Sequence, residues 1–285
     1  MHHNRSPRRR APIAPGFAGL AAAVFAACAL GAPAAAQIQR VDLELVLAVD
    51  VSQSMDSAEH RLQRQGYVEA FRHDEVIEAI LFGPRGRIAV TYVEWGEDYY
   101  QRQVVPWTII DSRESALAFA DELEAEALWP GSRTSISNAL YQSAHLLETN
   151  NIDGSRMVID VSGDGPNNTG PWVDFARDDV GERGITVNGL PIMLREAYAW
   201  YDIENLDEYY EDCVITGPGA FVAPVRSLEE LGPTIRGKLV LEIASLPSTV
   251  RYAQFTFSNE PEEEKANCQI GEMLWQTRGG GFGFQ

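Results

Sequence analysis

The sequence predicts an α/β fold: a doubly wound, mainly parallel sheet with helices on both faces and one antiparallel edge strand. Three observations carry this. Short apolar runs alternate with longer segments of helical periodicity, as a sheet covered on both faces requires. Two of the runs, residues 86–96 and 102–110, are separated only by a short polar turn, which predicts a hairpin. Two buried-type strands, residues 41–52 and 156–162, run into polar clusters that contain acids. In an open parallel sheet that is where ligands sit, beyond the carboxyl ends of the strands and where the strand order reverses.

Residues 41–52 are almost wholly apolar from Leu43 to Val49, apart from Glu44. One helix is predicted over residues 57–83, with Asp56 as its cap. Leu62, Tyr67, Val68, Phe71, Ile77, Ile80 and Leu81 recur there at helical spacing, and Gly83 and Pro84 stop it. The hairpin strands follow. A helix over 111–128 takes Asp111 or Ser112 as its cap, and the loop "WPGSRTS" (129–135) leads to a helix over 135–149. "RMVIDVS" (156–162) is a buried strand and "GDGPNN" (163–168) a loop. A helix over 171–184, a strand over 185–193, a helical stretch near 202–214, a strand-like "GAFVAPV" (219–225) and a helix from Ser227 to about Ala244 complete the series. Beyond it, "YAQFTFS" (252–258) can form one strand, "NEPEEEK" (259–265) reads as a solvated linker and "RGGGFGFQ" (278–285) as a flexible tail.

The first 36 residues stand apart. A basic start, an apolar Ala-rich stretch and small residues up to Ala36 describe a secretory signal peptide. The Pro and Gly content makes it a poor spanning helix. Arg8, Arg9 and Arg10 hint at the twin-arginine route without a matching motif, and Cys28 is an alternative lipidation site that Phe25 fits poorly. The organisation is therefore residues 1–36 signal, 37–245 one α/β domain, and 246–285 an acidic and Gly-rich extension. The expected location is the periplasm or the exterior, with no membrane insertion after cleavage.

The formal charge is −18. The predicted signal carries Arg and no acid, so its removal makes the chain more acidic still. Such a surface repels nucleic acid and anionic lipid, and suits cations or basic partners. Cleavage would leave Cys213 and Cys268 as the remaining cysteines. In an oxidising compartment that pair predicts one disulfide, worth about 4 kcal/mol in the chain-entropy model.

Asp50 lies at the end of the first strand, followed by Ser52 and Ser54 in a turn where alternate side chains can point the same way. Asp164 lies just past "RMVIDVS", and Thr134 directly precedes a helix. Two carboxylates and three hydroxyls form an all-oxygen set of the kind that Mg²⁺ takes, usually with waters and an open position. No His is expected near these segments to activate a nucleophile. Taken singly, each piece has an ordinary use, because Asp and Ser after a strand often cap helices. Asp160, inside an apolar strand, reads as a structural acid that holds the "GDGPNN" loop, and Ser162 likewise.

"DVSQS", "GSRTS" and "SGDG", in this order on strand and helix ends, resemble the von Willebrand factor type A domain over roughly residues 41–245. The segments "AVDVSQSM" and "VIDVSGDGPNN" look like a secreted bacterial branch of that superfamily whose function is unknown. The resemblance implies a Rossmann-like fold with a metal-ion-dependent adhesion site. Ser52 and Ser54 would hold a divalent cation through their hydroxyls, and Thr134 would join in the ligand-bound form. Asp50 and Asp164 would act through bound water. The ion would be Mg²⁺, with Mn²⁺ and Ca²⁺ as alternatives, and its open position would take an Asp or Glu carboxylate of a protein partner. Trp129 and Trp172, on the loops of Thr134 and Asp164, either rim that partner surface or pack their own loops. The implied function is a cation-dependent binding module rather than an enzyme. The alternatives are a metal-free envelope scaffold and a metal-dependent hydrolase. The second acid of an Asp-x-Asp phosphatase segment is missing, which counts against the hydrolase.

Overall fold

Strand β2 (Glu44–Asp50) has every residue buried, because it is flanked on both sides by parallel neighbours, β3 (Ile88–Trp95) and β6 (Met157–Gly163). The computed structural model describes Met1 and residues 38–194, 202–244 and 265–278. The chain divides into Met1–Gln37 and Ile38–Gln285, and the fold is that of the second unit. Its main sheet has the order β4-β3-β2-β6-β7. β4 (Gln101–Ile110) is the antiparallel edge and β7 (Thr186–Pro191) the parallel one. Pro106 is tolerated in β4 because an edge strand has one side without ladder bonds.

Side chains of β2 alternate between two apolar cores. Leu45, Leu47 and Val49 enter one with Tyr67, Phe71, Phe119 and Leu239. Helices α1 (Ser57–Arg72), α2 (Asp74–Leu81), α3 (Arg113–Ala125) and α7 (Leu228–Ala244) supply that layer. Val46 and Ala48 enter the other with Ile136, Leu140, Val180 and Tyr210. It is covered by α4 (Ile136–Glu148), α5 (Val173–Glu182) and α6 (Leu206–Cys213).

Several elements differ from the sequence expectation. The single helix over 57–83 is two, α1 and α2. His73 takes an extended backbone (φ −83°, ψ 137°) that ends the first and caps the second. The break leaves no mark in the periodicity, because Val76, Ile77 and Ile80 of α2 join the same core as α1. "GAFVAPV" forms only isolated bridges, Val222 to Gly189 and Val225 to Ile192. A short parallel ladder between β1 (Gln39–Val41) and β5 (Ile152–Gly154) was too brief to show a pattern. The extension contains a further helix, α8 (Ile270–Arg278), not read from the sequence. "YAQFTFS" lies outside the described residues, as do all but Lys265 of "NEPEEEK" and all but Arg278 of the tail. Asp56 caps α1 as expected, within a capping box closed by Glu59, and Ser112 rather than Asp111 caps α3.

Asp160 is structural, but it does not hold the loop. Lys238 of α7 lies 2.7 Å from its carboxylate and also pairs with Glu242, which accepts from Asn188 Nδ2 at 2.8 Å. All four side chains are buried. Ser162 likewise ties its strand to α1 rather than to the loop, accepting from Gln63 Nε2 at 2.9 Å.

Burial, reinforced by Asp160 and opposed by Lys238, pushes the Glu242 carboxyl up to about 7. The folded chain thus keeps a proton that the unfolded chain has already lost. The stabilisation is fully present below the ordinary Glu value and is lost as pH rises through about 7. In chelator, the melting temperature of the native chain should fall between about pH 5 and about pH 8, by an equivalent of a few kcal/mol at most. Glu242→Gln should flatten that decline, and thermal melts across the range measure it. Equal slopes for the two proteins would remove Glu242 as the titrating group.

Candidate metal centre

The chain leaves β2 toward β3 on one side and later returns to place β6 on the other. The carboxyl ends of β2 and β6 therefore open the crevice at a topological switch point. Asp50 is the last residue of β2, and Asp164 follows the last residue of β6.

After Asp50 the main chain turns back on the carboxylate, with Ser52 N donating to Asp50 Oδ1 at 2.7 Å. This Asx-type turn points the hydroxyls of Ser52 and Ser54 to the same side, 2.8 Å apart. Ser54 Oγ then donates to Asp164 Oδ1 at 2.5 Å, across 110 residues of sequence. Asp50, Ser52, Ser54 and Asp164 thus form one continuous polar set. Met55, between these polar residues in sequence, packs into the core and anchors the loop from below.

Thr134 is buried on the neighbouring loop, and its main chain is zipped to the Asp164 loop. Its N–H donates to Asn168 Oδ1 at 3.2 Å, and Asn168 N–H donates to Thr134 O at 2.9 Å. The same loop is fastened to the first, with Gly131 N–H donating to Val51 O at 2.7 Å. Gly96 and Gly131 make this approach possible. A Cβ on either would lie 3.1 Å from the other's Cα. Three loops, two leaving the ends of β2 and β6 and one joining α3 to α4, are therefore tied by main-chain bonds around the crevice.

The set fits a cation on two counts. Among the described residues, Asp50 Oδ2 is buried and accepts no hydrogen bond. Burial, and then the nearby charge of Asp164, push the Asp50 carboxyl well above the usual carboxylate range. A buried, unsatisfied oxygen beside a second carboxylate is costly unless a positive charge enters. Among the described residues no cluster of three or more His, Cys, Asp and Glu is placed to hold a metal. The donor set here is of a different kind, two carboxylates with hydroxyls.

One sequence expectation needs correcting. His60 does lie beside the set: its Nε2 is 3.1 Å from Ser52 O, and the ring is buried. Burial lowers its pKa, and the neutral ring engages the main chain of the Ser52 turn. It buttresses that turn. The sequence reading also missed Asn167 and Asn168. Asn167 is fully buried, and its side-chain oxygen accepts from Ser137 N (3.0 Å) and Ser137 Oγ (3.2 Å) at the start of α4. The paired Asn in "GDGPNN" were the available signal, since Asn commonly organises loops through side-chain-to-backbone bonds.

Trp129 and Trp172 are 59 % and 50 % exposed. Trp172 stacks obliquely on Phe175, itself exposed, with ring centres 5.3 Å apart. Trp129 is held through its carbonyl, which accepts from Tyr100 OH at 2.5 Å. Cys213 and Cys268 form a disulfide.

Residues 40–247 match the family described as "Protein of unknown function (DUF1194)". No curated protein sequence matches the chain. Proximal thread matrix protein 1 from the mussel byssus is similar in structure, at TM-score 0.51 and 15 % identity, over 73 % of this chain and 49 % of that one. The pilus adhesin SpaC from Lactobacillus rhamnosus GG is similar at TM-score 0.54 and 14 % identity, over 73 % of this chain and 31 % of that one. A von Willebrand factor type A protein from Catenulispora acidiphila aligns at TM-score 0.49 and 16 % identity, over 71 % of this chain and 43 % of that one. This chain spans about half the length of the matrix protein and under a third of the adhesin. The likeness is one of fold: the mainly parallel sheet, its antiparallel edge and the helices on both faces are those of the von Willebrand factor type A domain.

Asp50→Asn keeps the acceptor for Ser52 N–H and removes a buried charge that faces Asp164. In chelator its melting temperature should equal or exceed that of the native chain, by up to about 2 kcal/mol of stability. A thermal melt measures this, and a clear loss would mean that the Asp50 charge is satisfied by the protein itself.

Proposed function

The chain belongs to DUF1194, a family of proteins of unknown function, and we propose that it is an exported, cation-dependent protein-binding module. The observation that carries the reading is the joined set of Asp50, Ser52, Ser54 and Asp164, with Asp50 Oδ2 buried and unpartnered. Ser52, Ser54 and Thr134 would hold the ion through neutral hydroxyls, while Asp50 and Asp164 orient bound water. A divalent ion held so supplies a positive charge little diminished by its protein ligands, and an open position that suits an Asp or Glu carboxylate. Mg²⁺ is the ion we assign, with Mn²⁺ and Ca²⁺ chemically admissible. Asn168 keeps the main chain of Thr134 against the Asp164 loop. The exposed rings of Trp129 and Trp172 lie on the same two loops and offer apolar area around the anchoring carboxylate.

Binding is favoured over hydrolysis because, among the described residues, the imidazole beside the set, His60, engages the Ser52 carbonyl through Nε2 and buttresses the turn. Export is supported by the signal-like first 36 residues and by the Cys213–Cys268 disulfide, which suits an oxidising compartment. Among the described residues no helix is long and apolar enough to cross a membrane.

Calorimetric titration with Mg²⁺ and Ca²⁺ tests the site. Ser54→Ala and Asp50→Ala should each weaken the ion by about tenfold or more, with the fold retained. Thr134→Ala should matter chiefly once a partner is bound. If Mg²⁺ raises the melting temperature of the native chain and of Asp50→Ala equally, the ion sits elsewhere. If no divalent ion binds, the metal-free scaffold takes the reading's place.

The aromatic rim is tested separately. Proteins captured from envelope extracts with the native chain should be lost on adding chelator, and reduced with Trp129→Ala or Trp172→Ala. Unchanged capture by both variants, with the fold intact, would confine these rings to packing their own loops.

A further inference from the structure

Residues 265–278 return from the far end of the sequence to the two loops that carry Asp164 and Thr134. The root of this segment is fixed twice. Cys268 is bonded to Cys213 at the end of α6, and Ala266 N–H donates to Asp212 Oδ2 at 2.7 Å. Ala266, Cys268 and Ile270 pack against the buried core of that face, so the segment is seated and not merely tethered.

Helix α8 then meets the Asp164 loop at very close range. A Cβ on Gly271 would lie 2.0 Å from Asn167 O and 3.2 Å from Pro166 Cγ, so only glycine allows this approach. The neighbouring Glu272 accepts from Asn167 Nδ2 at 2.7 Å. Asn167 is the buried hub already described: its other side-chain atom holds the start of α4, and its N–H donates to Tyr209 OH at 3.1 Å. One turn further on, the Trp275 ring covers the Arg133 guanidinium at 4.5 Å. Arg133 precedes Thr134 and donates to Asn168 O at 2.5 Å. The helix therefore contacts both loops, three residues beyond Asp164 in one and one residue before Thr134 in the other. Neither contact is needed to close the sheet or its cores.

We propose that residues 265–278 are a disulfide-rooted strap that positions the Asp164 and Thr134 loops, so that breaking Cys213–Cys268 loosens both. Glu272, acting through Asn167, is its principal positioning residue. The consequence for cation affinity rests on the function proposed above; the positioning of the loops does not. Reduction of the bond by a thiol, two electrons and two protons giving two cysteines, would remove the covalent root and leave only non-covalent contacts to hold the helix. The cation site would then answer to the redox state of its surroundings.

Amide hydrogen exchange of the full metal-free chain, oxidised and after thiol reduction, tests the strap. Exchange at residues 164–170 and 131–135 should accelerate on reduction, while the amides of β2 and β6 stay protected. Glu272→Ala should produce the same local change in the oxidised chain, and Glu272→Gln, which keeps the acceptor, should restore protection. A merely structural bond would instead change exchange across the whole sheet. Unchanged loop exchange on reduction and in Glu272→Ala overturns the strap, and neither measurement depends on a cysteine variant that folds. In parallel, Mg²⁺ affinity should fall by about tenfold or more on reduction. Loop exchange that responds in a chain that binds no Mg²⁺ supports the strap and overturns the cation reading. An affinity that is unchanged while the loops loosen overturns the redox link.

Discussion

The carboxylate of Asp50 is buried at the end of the central strand, with one oxygen satisfied by the turn that follows and the other accepting no hydrogen bond from the described residues. This arrangement organises the surrounding loops. The turn that satisfies Oδ1 aligns Ser52 with Ser54, and that alignment brings Ser54 onto Asp164. A fully solvated acid at this position would have no reason to bend the chain around itself. Moving Asp50 toward solvent would relieve its desolvation and also dissolve the geometry that makes it useful. The fold tolerates the cost because β2 lies between two parallel partners and cannot shift.

The loops themselves are poor in apolar anchors, and main-chain bonds replace what packing would otherwise provide. Val51, Gly96, Gly131, Thr134 and Asn168 are joined by a small net of such bonds. Two close glycines allow it on one side. On the other side buried Asn167 does comparable work, its side chain for α4 and α8 and its main-chain N–H for Tyr209. A net of this kind moves as a unit, because slackening one bond leaves buried donors unpaired along the next. Contacts at its edge, such as those of Glu272 and Trp275, can therefore be felt several residues away.

Much of the architecture was legible in the sequence because element alternation and strand-end polarity are local signals. The acid-tipped runs ending at Asp50 and "RMVIDVS" revealed where the strands stop. Glu44 was the odd residue in its strand, and its burial is explained by Asn150 Nδ2 and Gly154 N–H, at 2.6 and 2.7 Å, which no local pattern could anticipate. The break at His73 was hidden because both helices bury the same stripe. The partner of Asp160 lies 78 residues away on α7, so its role was foreseeable only in kind. His60 was overlooked for the opposite reason: it lies only eight residues from Ser52, and the first turn of α1 brings it straight back to the Ser52 turn. Helix α8 was obscured by the charge run before it and the glycines after it.

Net charge and local chemistry pull in different directions at this site. A chain of formal charge −18 repels acidic partners at long range, and the open cation position proposed here would attract their carboxylates at short range. The two effects act over different distances. Salt screens the repulsion within about 8 Å at physiological ionic strength, whereas a carboxylate in contact with a partly desolvated ion is hardly screened. Discrimination follows from that difference. A diffusely acidic surface would be kept away, while a single carboxylate presented on a neutral or basic surface would meet little opposition and gain the full contact. Arg133, beneath Trp275 and beside Thr134, adds fixed positive charge next to the crevice and strengthens the same preference. The acidity of the chain is thus compatible with the proposed acidic anchor, provided that the rest of the partner is not acidic, and it would select for that kind of partner.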